Sequence, residues 1–214
     1  MIVVIFSVLK VKPKKVALGI SGLRCLTRPI AFPRLPKEML DEAVRREAQR
    51  VLPVPLEELY LSWQTIPAPA EQSQVFIVAI PHKTADALFR VLHQAGLRVE
   101  FFEIKPLLLT RIVKEATAII IDVQATEFDT VILVDGIPRP VRSTRFAGGA
   151  LSSNEKVTTI KSELARSLAF YNTNNPEKPL AASVPVFTSG DLANETDLYQ
   201  SLSAEIGHPV LPLP

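Results

Sequence analysis

The sequence predicts an α/β fold with mixed sheets, and three observations carry that prediction. Short runs of β-branched residues alternate with amphipathic runs of helical period, turn residues fall between them, and 47% of the 214 residues are apolar. That apolar content is ample for one sizeable domain or two small lobes.

Taken in order, Lys15 to Ile20 and Leu26 to Phe32 read as strands separated by a Ser21-Gly22 turn, with Pro33 and Pro36 closing the second. A helix follows. Pro36 suits its first position, Glu38, Asp41 and Glu42 sit near its positive end, and Arg45, Arg46 and Arg50 lie near its negative end, on a solvated face. Leu40, Val44, Ala48 and Val51 form its apolar face, and Leu52-Pro53-Val54-Pro55 stops it. Leu59 to Ile66 is a strand, Pro67 to Ser73 an exposed loop, and Val75 to Ile80 a further strand. The helix from about Lys83 to Ala95 is predicted to bury Ala85, Leu88, Phe89 and Leu92 and to end on Gly96.

Val99 to Ile104 returns as a strand, and Leu107 to Val113 reads as a short helix pressed against a sheet. Thr117 to Val123, Phe128 to Leu133 and Pro138 to Phe146 form a meander whose tight turn is Asp135-Gly136. Val157, Ile160, Leu164, Leu168 and Tyr171 mark a long amphipathic helix, Val184 to Thr188 a buried strand, and Leu198, Leu202 and Ile206 a last helix before Gly207.

Composition excludes several functions. Lys and Arg total 24 against 22 Asp and Glu, and a net charge of +2 is no footprint for binding nucleic acid. The single Cys25 forms no internal disulfide and fits a reducing compartment. His82, His93 and His208 lie far apart, without the thiol or carboxylate spacing of a zinc site. The apolar run Ile2 to Leu9 falls short of the roughly 20 residues a membrane span needs. It also lacks the flanks of a secretory signal, so it reads as a buried strand or a helix remnant, and the chain is expected in the cytoplasm.

Four segments carry a resemblance. They are Arg28-Pro29-Ile30-Ala31-Phe32-Pro33-Arg34-Leu35-Pro36 with Glu42-Ala43-Val44-Arg45-Arg46-Glu47-Ala48 and Leu52-Pro53; Ala95-Gly96-Leu97 with Glu103-Ile104-Lys105-Pro106-Leu107 and Arg111; Asp122-Val123 through Asp135-Gly136 to Arg145-Phe146-Ala147-Gly148-Gly149; and Glu163-Leu164-Ala165-Arg166-Ser167-Leu168. In order and spacing, from about Lys15 onward, they resemble the PilM family of pilus-assembly proteins, relatives of the cell-division protein FtsA and of actin. The resemblance implies an actin-like, ribonuclease H-like fold in shortened form. Residues 1–21 would be a remnant of the main lobe and 22–97 the extra subdomain shared with FtsA. Residues 98–149 would return to the main lobe and begin the second, and 150–214 would complete a reduced second lobe.

The family's nucleotide elements are altered. Its first phosphate loop lies upstream of the matched region, and the first glycine here is Gly19, so that loop is expected to be lacking. The second hairpin's pattern of Asp, then Gly, then Thr reads as Asp122, Gln124 and Phe128, which puts a side chain where phosphate should approach and a ring in place of a hydroxyl. The glycine pair near adenosine reads Ser189-Gly190. Between Gly149 and Glu163 the thirteen residues Ala150 to Ser162 stand where relatives carry a longer subdomain. A residual nucleotide site would draw on Asp122, Gln124, Gly148, Gly149, Ser189 and Gly190; equally, Asp122 reads as an ordinary strand-end aspartate and Gly148-Gly149 as an ordinary loop.

The expectation is a non-enzyme, without catalytic residues, metal or cofactor. The resemblance implies a cytoplasmic scaffold at the inner membrane, peripheral through its partner, that holds the tail of a PilN-like protein as an extended peptide. Arg28, Phe32, Tyr60 and Trp63 are the candidate groove, although Phe32 and Trp63 also read as buried links between two strands. Two rival readings stand beside it. One is an actin-like nucleotide-binding protein or slow ATPase with residual Mg-ATP binding, the other a self-associating structural subunit.

Overall fold

The computed structural model describes residues 14–147, 151–193 and 195–214. Two compact units divide the chain, residues 1–20 with 24–103 and residues 21–23 with 104–214. The run Ile2 to Leu9 and the pair Gly148-Gly149 lie outside the described residues.

The first unit contains β1 (Lys15–Ile20), β2 (Leu26–Pro33), α1 (Lys37–Val51), β3 (Leu59–Ile66), β4 (Gln72–Pro81), α2 (His82–Gln94) and β5 (Arg98–Ile104). β4 is the centre of a three-stranded antiparallel sheet between β2 and β3, and β1 pairs with β5 in a separate two-stranded sheet. The stripe Leu40, Val44 and Ala48 recurs every four residues, so one face of α1 is apolar and packs on the sheet. Ile30, Leu59, Val75, Ile77 and Ala79 meet it there. Val51, expected on that stripe, is exposed, and Leu52 is buried instead. Leu52 precedes Pro53, which disfavours the α region, so the chain turns extended and swings the leucine back under the helix.

On α2, Ala85 and Leu92 are buried and Phe89 half-buried, while Leu88, also expected inside, stays exposed. Its C-terminus closes as a Schellman motif, with the Leu97 N–H donating to the Leu92 carbonyl and the Gly96 N–H to that of His93. The arginines expected on the solvated face of α1 are there, but each pairs with a carboxylate of its own helix: Arg45 with Asp41, Arg46 with Glu42 and Arg50 with Glu47. The helix therefore presents alternating charge and not a basic patch.

The second unit contains α3 (Lys105–Thr110), β6 (Ala118–Val123), β7 (Glu127–Val134), β8 (Ile137–Arg145), α4 (Ser153–Asn174), β9 (Val186–Gly190), α5 (Thr196–Glu205) and β10 (Val210–Pro212). Its five-stranded sheet runs β10-β9-β6-β7-β8, parallel from β10 to β6 and antiparallel beyond. β6 is buried along its whole length, because α4 and α5 cover one face and the segment around Leu109 and Val113 covers the other. Its sequence, Ala-Ile-Ile-Ile-Asp-Val, is the nearly unbroken apolar run such a strand requires, with Asp122 the exception.

The turn at Asp135 and Gly136 has positive φ at both residues, the geometry that joins β7 and β8 without splaying them. Most of the stretch Ala150 to Ser162 belongs to α4, which starts on a capping box between Ser152 and Glu155. β10 is not legible in the sequence. Pro212 cannot donate to a ladder, but as an edge position it need not, and the Leu213 N–H reaches the Thr188 carbonyl instead.

Leu164 is buried in the α4 core and Leu168 is only partly buried against it. Leu164→Asp is therefore expected to cost about 3–5 kcal/mol as an unpaired buried charge, and Leu168→Asp clearly less. Thermal melting followed by circular dichroism checks the ranking; equal melting points for both variants would contradict it.

Candidate functional site

Strand register in the second unit assembles a row of four polar side chains on one face of the sheet. Asp122 of β6 stands opposite Asp129 of β7, Ser189 of β9 flanks Asp122, and Ser143 of β8 flanks Asp129. Like charges directly across an antiparallel pair repel. Here both carboxylates are also almost fully buried, at 3% and 1% exposure. The repulsion is met by Lys105, the first residue of α3, whose Nζ lies 2.5 Å from Asp122 Oδ2 and 3.0 Å from Asp129 Oδ2.

The other donors complete the cluster. Ser189 Oγ donates to Asp122 Oδ1 at 2.6 Å, Gln124 Nε2 donates to Asp122 Oδ2 at 3.1 Å, and Ser143 Oγ donates to Asp129 Oδ1. Asp129 Oδ2 has no well-directed hydrogen bond and relies on the charge of Lys105. Gly22 packs against this end of the row, where a Cβ would overlap the Ser143 hydroxyl. Burial works against the Lys105 charge, but the hydrogen bond to Asp122 and the two carboxylate charges together hold it above the ordinary lysine value. Burial pushes Asp129 up, opposed by the Ser143 hydrogen bond and by Lys105.

The described residues do not fit a magnesium nucleotide. A phosphate cradle needs free backbone N–H groups and room for close approach. The Gln124 N–H donates to the Glu127 carbonyl at 2.8 Å across a tight turn, and the Gln124 side chain folds back onto Asp122. Ser189 is spent on the same carboxylate. Gly190 has φ +75°, and a Cβ there would overlap the Val123 carbonyl oxygen, so its glycine is accounted for by the close approach of β9 to β6. Phe128 is fully buried and packs against Phe146 with ring centroids 5.0 Å apart. Asp122, Gln124, Ser189 and Gly190 are thus brought together, and they satisfy one another. Lys105 is the member that sequence reasoning missed; the signal was a lysine in the otherwise apolar stretch Ile104 to Leu109.

The four candidate groove residues do not form one surface. Arg28 and Trp63 flank Ile77 across the central strand, and Phe32 lies on the same face, whereas Tyr60 pairs with Ile80 and so points to the opposite face. Phe32 and Trp63 pack into the α1 core, and the Trp63 indole donates to Asp41 Oδ1 at 3.2 Å. Arg28 is exposed. Tyr60 packs edge-on against Phe89 and Phe102, which pack edge-on against each other at 5.1 Å, and its hydroxyl donates to Asp86.

Those two phenylalanines line a cavity of about 940 Å³ between α2 and β5. Consecutive residues 98–102 of β5 border it, so it follows the strand and not one face of it. Phe101 is 44% exposed beside it, and Arg90, His93 and Arg98 supply polar and charged edges.

A family model described as type IV pilus assembly protein PilM matches residues 1–144. Among solved structures, a PilM–PilN type IV pilus biogenesis complex superposes with a TM-score of 0.77 at 23% identity, covering 99% of this chain and 72% of that one. The cytoplasmic domain of EpsL, an inner-membrane component of the type II secretion system of Vibrio cholerae, gives a TM-score of 0.50 at 10% identity, covering 82% of this chain and 61% of that one. A Bacteroides thetaiotaomicron protein with an actin-like ATPase fold gives 0.48 at 12% identity, covering 94% and 70%. No curated protein matches. The fold is shared with the matched protein of the PilM–PilN complex.

Two outcomes follow for the cluster. Gly190→Ala is expected to cost about 1–3 kcal/mol, because it needs a left-handed residue and displaces the Val123 carbonyl. Lys105→Met is expected to cost about 3–5 kcal/mol near neutral pH, since it leaves two buried carboxylates without a counter-charge. The raised Lys105 value sets the sign: its stabilisation is complete below the ordinary lysine range and is lost as pH rises through the folded value. Asp129, also raised, binds its proton more tightly in the folded state, so acid relieves the repulsion. The gap between wild type and Lys105→Met, measured by denaturant unfolding across pH, should therefore narrow in both acid and alkali; a constant gap would contradict the counter-charge role.

Proposed function

The chain belongs to the PilM family of type IV pilus assembly proteins, and from that premise we propose that it acts in pilus assembly as an adaptor that does not hydrolyse ATP. In this reading it holds the cytoplasmic tail of a PilN-like inner-membrane protein and sits at the inner face of that membrane through its partner. Among the described residues no helix is long and apolar enough to cross a membrane, which is consistent with attachment through a partner.

The observation that carries the reading is the cavity along β5. An extended peptide can add hydrogen bonds to a strand edge and set alternate side chains into pockets. The apolar lining beside β5, with Phe89, Phe101 and Phe102, offers such pockets. Tyr60 is the candidate of the original four that adjoins this lining. Phe32 and Trp63 support α1 instead, which leaves Arg28 as an exposed secondary contact. The absence of hydrolysis is supported by the second hairpin, where the Gln124 N–H and the side chains of Gln124 and Ser189 are engaged within the protein.

Calorimetric titration with Mg-ATP and then with a PilN-derived tail peptide tests the proposal, with sizing to detect self-association. Tail binding without ATP turnover is expected. Truncating an aromatic anchor commonly costs about 2 kcal/mol or more, so Phe102→Ala and Tyr60→Ala should each weaken the tail by roughly 30-fold, while Asp191→Ala should not. Weakening by Asp191→Ala alone would move the groove elsewhere. ATP turnover that disappears on Asp122→Ala would establish the ATPase reading, and self-association with no tail binding would favour a purely structural subunit.

A further inference from the structure

We infer that the outer edge of β8 is a docking site for a short acidic strand of a partner protein, one that alternates Asp or Glu with apolar residues. The site belongs to the second unit alone, so the inference goes beyond the tail-binding reading and does not rest on it.

Among the described residues β8 is the last strand of its sheet. The Phe146 N–H donates to the Thr126 carbonyl at 3.0 Å, so the alternation of an antiparallel ladder turns the backbone of Thr144 and Arg142 toward β7 and that of Val141, Ser143 and Arg145 outward. Outward groups of this kind are a template for one more strand. Pro138 and Pro140 have no N–H to give and spoil the first half of the edge, which limits the template to residues 141–145.

Charge selects the partner. The strand reads Ile-Pro-Arg-Pro-Val-Arg-Ser-Thr-Arg, with three arginines and no acid. On the α4 side, Arg142 and Arg166 share the one carboxylate of Glu163, at 3.8 and 3.2 Å, and the Arg142 guanidinium lies 5.9 Å from the centroid of the Phe170 ring. That ring is 53% exposed and open to an apolar side chain. Arg145 is exposed and, by the alternation of a strand, lies on the other face with Ser143. Its cross-strand neighbour Glu127 accepts a hydrogen bond from the Ser21 hydroxyl at 2.6 Å. An added strand therefore meets an aromatic ring on one face and a guanidinium on the other, and the guanidinium fork matches a carboxylate. The arginines that attract an acidic strand also repel the β8 of a second copy. A bilayer offers anionic phosphate but no extended backbone for Val141, Ser143 and Arg145.

The test titrates the full chain with a short capped peptide that alternates glutamate with valine, followed by fluorescence anisotropy, with amide hydrogen exchange read by NMR. The peptide should bind, slow exchange at the Val141, Ser143 and Arg145 amides, and bind about tenfold tighter than a peptide of the same composition with its glutamates grouped. Phe170→Ala should weaken it about tenfold or more. Arg145→Glu should weaken it as well and should admit a peptide alternating lysine with valine, whereas Arg46→Ala in the first unit should change nothing. If Arg145→Glu does not fold, Arg145→Ala carries the comparison, read as a lost preference for the glutamate peptide over the lysine one. Equal binding of the grouped peptide, unchanged exchange at the three amides, or affinity indifferent to both Arg145 and Phe170 overturns the inference. So does protection of those amides by self-association without peptide, or binding of phosphatidylglycerol vesicles in place of the peptide. Tail titration on Phe102→Ala is a separate readout, so failure here and failure of the adaptor reading are told apart.

Discussion

The second unit depends on one ammonium group. Its central strand pairs β6 with β7 in a register that places Asp122 directly against Asp129, both nearly inaccessible to solvent. A one-residue slip would separate the two carboxylates but would also turn Asp122 toward the apolar core beneath α4 and α5, and the cost of burying that charge there opposes the slip. Lys105 resolves that conflict from outside the sheet, on a short helix anchored by the buried Pro106 and Leu107. The position of α3 is thus tied to the sheet by charge as well as by packing.

The same interaction explains why the altered hairpin is tight. Gln124 lends its amide to Asp122, while the backbone closes into a short turn. Phe128, freed from any polar duty, becomes a fully buried ring in the core under α4. Positions that read separately in the sequence meet in the structure, where Lys105, Gln124 and Ser189 all serve Asp122.

The first unit shows how far pattern reading reaches. Each strand and helix expected between Lys15 and Ile104 is present within a few residues, because period and proline stops are local signals. The exceptions are tertiary. Val51 and Leu88 fit an apolar stripe by spacing, but each stands exposed. The groove candidates divide between two faces because Tyr60 and Trp63 are three residues apart on one strand, and an odd spacing sends them to opposite faces. That parity was available in the sequence; which face each would occupy was not.

By itself the sequence determined the element order, the buried strand β6, the turn at Asp135 and Gly136 and the loss of small residues from the second hairpin, since each follows from local propensity or from residue type at one position. It did not determine β10, where Pro212 hides an edge strand, nor the cavity beside β5. Nor could it show that Lys105 reaches two aspartates 17 and 24 positions away in the chain. Those features arise from strand pairing between distant segments. A short-range pattern records which face of an element is apolar, but the identity of the group that meets a buried charge depends on what the folded chain brings within about 3 Å of it, and only the tertiary structure decides that.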